Sequence, residues 1–231
     1  MYYITGVSSG LGKALVEQLL SEGKKVTGVG RNNSIQHNNY IFLHCDLKNH
    51  SDVSKLQLEV DQEECILVNN AGMIGTIDRF SNSNTQLLKE VMQVNTISPM
   101  ELAKNLYAQL KKKDRFTLIN ISSGAANKAI PSWAAYCASK AALNMMSETF
   151  FLEEKELGHS PKIFCVAPGV IDTSMQEQIR NSSSEQFSSV ENFKRMKADG
   201  ELFSPEEAAN RLIRLIDSKQ KDTIFFDLRE V

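Results

Sequence analysis

Apolar residues along this chain follow two alternating rhythms. Short continuous runs rich in β-branched and aromatic residues occur at Tyr2–Thr5, Val26–Val29, Tyr40–Cys45, Cys65–Asn69, Phe116–Ile121, Ile163–Ala167 and Thr223–Phe226. Runs of this length and composition predict strands. Those at Tyr40–Cys45 and Cys65–Asn69 are apolar enough to expect burial on both faces. Between the runs the spacing changes. Leu11, Ala14, Leu15 and Leu19 recur at helical intervals within Leu11–Leu20, and similar patterns cover about Ser83–Leu110 and Tyr136–Glu156. Lys111–Lys113 place positive charge where a helix C-terminus favours it. Ser204-Pro205-Glu206-Glu207 opens a last helix with an N-capping serine and a first-turn proline.

Strands separated by helix-length segments imply parallel pairing, with helices on both faces of a doubly wound α/β sheet. Residues 1–231 are expected to form one domain. Only Asp172–Gly200, rich in Ser, Asn, Gln and charge, breaks the alternation. It follows a strand's C-terminal end, where such sheets bind ligands, so a lid over a substrate is expected rather than a solvated insertion.

Composition narrows the function. Hydrophobic residues at 42% and charged residues at 23% are ordinary for a globular chain, which argues against disorder. The 26 basic and 28 acidic side chains leave a net charge of −2, so no basic field is available for nucleic acid. No apolar run suits a membrane span, and no secretory signal is readable. Cys45, Cys65, Cys137 and Cys165 show neither metal-ligand nor disulfide spacing, consistent with reduced thiols in the cytoplasm. No metal is expected.

Candidate chemistry begins at the first turn. Gly6, Ser8, Ser9, Gly10, Leu11 and Gly12 lie between the first strand and the first helix. Glycines there allow close backbone approach, and free helix N–H groups suit a dinucleotide pyrophosphate, although such turns also serve packing alone. The second strand ends Gly28-Val29-Gly30-Arg31, without a carboxylate for a ribose 2′-hydroxyl and with a guanidinium suited to a 2′-phosphate. NADP(H) is therefore the expected cofactor. Tyr136 and Lys140 are i and i+4, on one helical face. Reduction of a carbonyl needs a proton at oxygen as hydride reaches carbon, and a nearby ammonium favours the phenolate of a tyrosine. Ser123, after the strand Phe116–Ile121, can orient the substrate oxygen.

Taken together, the T-G-x-x-x-G-x-G spacing at Thr5–Gly12, Asn69-Asn70-Ala71-Gly72, Ser123, Tyr136-x-x-x-Lys140 and Pro168-Gly169-Val170-Ile171-Asp172-Thr173 resemble the short-chain dehydrogenase/reductase family. The resemblance implies a single Rossmann-type sheet. It implies Tyr136 as general acid, Lys140 as its modulator and ribose anchor, Ser123 as substrate-orienting hydroxyl and Asn95 as holder of a relay water. It further implies Asp46 and Leu47 near the adenine, Asn70, Ala71 and Gly72 beside its ribose, and Pro168, Gly169, Val170 and Thr173 at the carboxamide.

The C-terminal third, from Asp172-Thr173-Ser174-Met175 to Lys197-Ala198-Asp199-Gly200, is similar to sepiapterin reductases and benzoin-forming benzil reductases. That similarity implies an NADPH-dependent reductase of small ketones or vicinal dicarbonyls, with Asp227 as a substrate anchor. Alcohol oxidation with NAD(P) and a catalytically silent dinucleotide sensor stand as alternatives. The alanines at 134, 135, 138, 141 and 142 leave a small-residue helix surface, and the resemblance implies a homodimer or homotetramer.

Overall fold

A computed structural model describes residues 1–220 and 222–231. Strands β1 (Tyr2–Thr5), β2 (Val26–Gly30), β3 (Tyr40–His44), β4 (Cys65–Asn69), β5 (Phe116–Ile121), β6 (Lys162–Ala167) and β7 (Phe225–Asp227) form one parallel sheet in the order β3-β2-β1-β4-β5-β6-β7. The chain winds outward from β1 in both directions. The order reverses between β1 and β4, and a ligand crevice opens there beyond the strands' carboxyl ends.

Each sheet face carries its own core. On one side α1 (Gly10–Ser21) and α8 (Pro205–Asp217) pack Leu15, Leu19 and Leu212 against Ile4, Val68 and Val166. On the other, α4 (Ser98–Gln109) packs Leu102 and Leu106 against Tyr3, Leu67 and Leu118. Central β4 is buried throughout, as its apolar run implies. The Ser204 side chain caps α8 through the Glu207 N–H at 3.0 Å, with Pro205 in the first turn. Lys113 donates to the Tyr107 carbonyl in the last turn of α4, at 2.6 Å.

Five features depart from the sequence pattern. Strand β3 is an edge strand, half exposed along its length, with Ile41 56% exposed; apolar content cannot reveal that no further strand covers its flank. A short helix α2 (His50–Lys55), capped by Asn49, follows β3. The expected Ser83–Leu110 helix is α3 (Thr85–Met92), a π-helical turn at Gln93–Ile97, and α4. Pro99 has no N–H for the Asn95 carbonyl, and the Ser98 N–H reaches back to Gln93 instead. Within Asp172–Gly200 the chain forms α6 (Ser174–Arg180) and α7 (Val190–Ala198). The final strand starts two residues later than its pattern suggests, at Phe225, in register with Cys165.

Gly28 in β2 is required by a neighbour. A Cβ there would stand 2.2 Å from the Tyr40 hydroxyl, whose ring lies across the strand. That hydroxyl is buried without a hydrogen-bond partner, and burial pushes its pKa up to about 12. A buried, unpaired hydroxyl is destabilising. Tyr40→Phe is therefore expected to stabilise the protein by ~1 kcal/mol, about 2–4 °C in Tm. Gly28→Ala is expected to destabilise it by ~1–3 kcal/mol through overpacking. Thermal unfolding of the two variants checks both signs.

Candidate active site

The crevice has a volume of about 890 Å³ and runs from the glycine turn past the exits of β2, β4, β5 and β6 to the C-terminal turn. At one end Gly6 and Gly10 hold the left-handed φ values of +73° and +55°, so the turn needs glycine at both. Gly12 answers a different demand. A Cβ on it would lie 2.2 Å from the Gly6 carbonyl and 2.4 Å from Asn70 Nδ2. The Asn70 amide donates to the Thr5 and Gly6 carbonyls, each at 3.0 Å, and the Thr5 hydroxyl accepts the N–H groups of Asn70 and Ala71, both at 3.0 Å. These bonds lock the exits of β1 and β4 together.

Helix α1 starts above this turn. Its first turn holds no acidic residue, and the N-capping Ser9 makes no side-chain bond to it. Its leading N–H groups are left for an anion. Ser8, Ser9, Gly10 and Leu11 line the crevice there, while Gly12 lies behind the wall. Exposed Arg31 stands at the tip of β2, with Asp46 and Leu47 beyond β3. The cradle of glycines, the free helix end and the long open trough fit a dinucleotide.

The other half carries the chemistry. Helix α5 (Ala134–Glu156) brings Tyr136 and Lys140 to the wall, both buried. Lys140 Nζ donates to the Ile121 carbonyl at 2.7 Å and lies 5.8 Å from the Tyr136 ring centre. Ser122 commits its hydroxyl to Asn144, donating at 2.6 Å, and Ser123 lines the crevice beside it. The Ser123 hydroxyl also caps the short turn Gly124–Ala126 through the Ala125 N–H.

Burial governs both ionisable groups. It raises the Tyr136 phenol above its ordinary range, opposed by the Ser123 hydroxyl beside it. It lowers Lys140 from its ordinary 10.5 to about 8. The expected lowering of the phenol by the ammonium does not emerge in this structure: burial is the largest influence on Tyr136, because desolvation penalises every charged form. Each group is pushed toward neutrality.

Asn95 sits on the π-helical turn and does not line the crevice. Its side chain bridges elements. It accepts the Met73 N–H at 2.9 Å and donates to the Met73 carbonyl at 2.9 Å and to the Ser139 hydroxyl at 3.0 Å. Ser139 donates in turn to the Tyr136 carbonyl, and Thr96 donates to the Ser139 carbonyl. Gly72 keeps the space in front open: a Cβ there would lie 3.5 Å from Asn95 Oδ1 and 3.7 Å from Lys140 Nζ.

Pro168, Gly169, Val170 and Thr173 border the crevice opposite α5, and Thr173 touches the position a Gly10 side chain would fill. Asp227 lines the far end, but both its carboxylate oxygens are taken by Arg229. Its carboxyl is held below the usual range by that guanidinium. Sequence reasoning missed Arg229 and the aromatic wall. Trp133, one turn before Tyr136, meets its ring edge-on at 5.8 Å and packs on Phe187 and Phe193 of the Asp172–Gly200 segment. The chain's single tryptophan, three residues before the tyrosine, was the available signal.

The model of the short chain dehydrogenase family matches residues 1–184. A benzil reductase forming (S)-benzoin, from Bacillus subtilis, is 31% identical over 239 aligned residues, covering 100% of this chain and 98% of that protein. Sepiapterin reductase from Rattus norvegicus is 28% identical, covering 95% of this chain and 91% of that protein. A short-chain dehydrogenase/reductase crystal structure from Saccharomyces cerevisiae superposes with a TM-score of 0.82 at 26% identity, over 98% of this chain and 95% of that one.

The Lys140 environment has a measurable signature. Between pH ~8 and ~10.5 the unfolded chain binds a proton at this lysine that the folded protein does not. Stability from this group therefore rises as pH increases across that window and is flat below it. Thermal unfolding of the wild type against Lys140→Met is expected to show a Tm difference that shifts in favour of the wild type from pH 8 to pH 10. A pH-independent difference is the opposing result.

Proposed function

Because the chain belongs to the short-chain dehydrogenase/reductase family, we propose that it reduces a small ketone or vicinal dicarbonyl with NADPH, Tyr136 protonating the carbonyl oxygen. The observation that carries this reading is one crevice lined by the glycine turn, Ser123, Tyr136 and Lys140 together. The bound dinucleotide supplies the hydride. Ser123 holds the substrate oxygen toward Tyr136, and the phenol O–H gives its proton to that oxygen. Lys140, with a pKa near 8, is matched to returning the proton at neutral pH. Burial keeps the phenol protonated, the form that an acid needs. A silent sensor has no use for the Tyr136–Lys140 pair.

NADPH is favoured over NADH because exposed Arg31 stands at the tip of β2, where a 2′-phosphate would lie. The vicinal dicarbonyl class is supported by similarity to the benzil and sepiapterin reductases. In this reading Asp172–Gly200 acts as the lid over the substrate, its Phe193 packed on Trp133. Ala134, Ala138, Ala141, Met145 and Leu152 form an exposed apolar face of α5, and we assign it to a homo-oligomer contact. The four cysteines are free thiols and, among the described residues, no helix is long and apolar enough to cross a membrane. We place the protein in the cytoplasm.

Tyr136→Phe is expected to lower kcat by about 10²–10⁴ with benzil or phenylpropanedione while NADPH still binds; wild-type turnover in that variant would refute the mechanism. Arg31→Asp is expected to lower the ratio of kcat/KM for NADPH over NADH by on the order of tenfold or more. Steady-state rates with both cofactors measure it, and an unchanged ratio removes the assignment.

A further inference from the structure

We propose that Arg229 selects the substrate, favouring carbonyl compounds that carry a carboxylate beside the carbonyl to be reduced. The proposal rests on the reductase reading and narrows its substrate class. Asp227 and Arg229 line the same crevice as Ser123 and Tyr136. They do not present themselves equally. Arg229 Nε donates to Asp227 Oδ1 at 2.9 Å and Oδ2 at 3.1 Å, Nη2 donates to Oδ2, and the Arg229 backbone N–H donates to Oδ1 at 2.9 Å. The Arg229 side chain is 68% exposed and that of Asp227 only 22%. An incoming molecule therefore meets the guanidinium, with the carboxylate behind it. A guanidinium gripped along its Nε–Nη2 edge keeps the Nη1 end for a second planar acceptor.

The cation is also fixed in advance. Leu228, between the two residues, is fully buried in the core. Arg211 Nη1 donates to the Leu228 and Val231 carbonyls, each at 2.9 Å, and its guanidinium stacks 4.7 Å from the Phe203 ring centre. A side chain on Gly169 would meet the Phe203 ring at 3.2 Å and the Arg229 stem at 3.4 Å. Arg229 is thus seated against the Pro168-Gly169-Val170 loop. Exposed Lys128, on the loop between Ser123 and Trp133, adds a further positive charge to the crevice wall. Among the described residues, the other acid on that wall is Asp46, at the Arg31 end. A 2-oxo acid places its carboxylate next to the reacting ketone and so meets the requirement for a vicinal pair of carbonyl groups.

Benzoylformate and its methyl ester offer the same ketone with and without the charge, and they test the proposal on the full chain. Arg229→Met is expected to lower kcat/KM for the acid by on the order of ten- to a hundredfold and to leave the ester nearly unchanged. Raised ionic strength should weaken the acid alone. Equal losses for acid and ester overturn the proposal. So does a loss confined to NADPH binding, which would assign Arg229 to a cofactor phosphate. A larger loss for both substrates in Asp227→Asn than in Arg229→Met would make the carboxylate the anchor, and that also overturns it. Calorimetric binding of benzoylformate to wild type and Arg229→Met, each with NADP⁺ present, reads the contact without turnover. Binding that depends on Arg229 in a chain reducing neither compound would sink the reductase reading and, with it, the role of Arg229 in selecting a substrate, whereas equal losses with turnover intact overturn that role alone.

Discussion

An amine shut away from water sets the terms for this molecule. Lys140 is buried in the wall of the crevice with a backbone carbonyl, that of Ile121, as its hydrogen-bond partner. Burying a group that prefers to be charged is unfavourable, so the surrounding elements must hold it there. Asn95 and Thr96 tie the α3–α4 rod to Ser139, and Ser139 bonds the carbonyl of Tyr136. The position of the phenol, the spacing of the amine and the shape of the Gly72–Met73 loop are set by one connected network. A rigid frame around two desolvated groups lets small changes in the crevice alter their proton affinities.

Much of this was legible in the chain. The central strands announce themselves because burial on both faces demands continuous apolar runs, as in Cys65–Asn69. The glycine turn and the Tyr136–Lys140 spacing carry tight geometric requirements and so leave tight patterns. Other features left weaker traces. Edge placement of β3 depends on what fails to pair with it. The π-helical turn depends on a single proline, Pro99, that also fits an ordinary helix start. The helices inside Asp172–Gly200 are interrupted by serines, and their packing partners, Trp133 and Tyr136, are distant in sequence.

Asp227 illustrates a different limit. Its position on the crevice wall follows from the register of β7 with β6. What it offers there depends on a residue two places on, because Arg229 occupies both oxygens. Sequence similarity identifies a carboxylate; geometry determines which charge faces outward. The same contrast holds for the chain as a whole, whose net charge of −2 says little about a crevice wall that carries Arg31, Lys128 and Arg229.

The π-helical turn at Gln93–Ile97 has a consequence for how such a site could arise. A turn of this type amounts to one residue added to a regular α-helix, with the surplus absorbed over a single turn. Everything before and after can keep its old packing, while the added residue rotates two neighbouring polar side chains onto one helical partner. The widened turn thereby makes a plain supporting rod one that grips, through Asn95 and Thr96, the helix bearing the reactive pair.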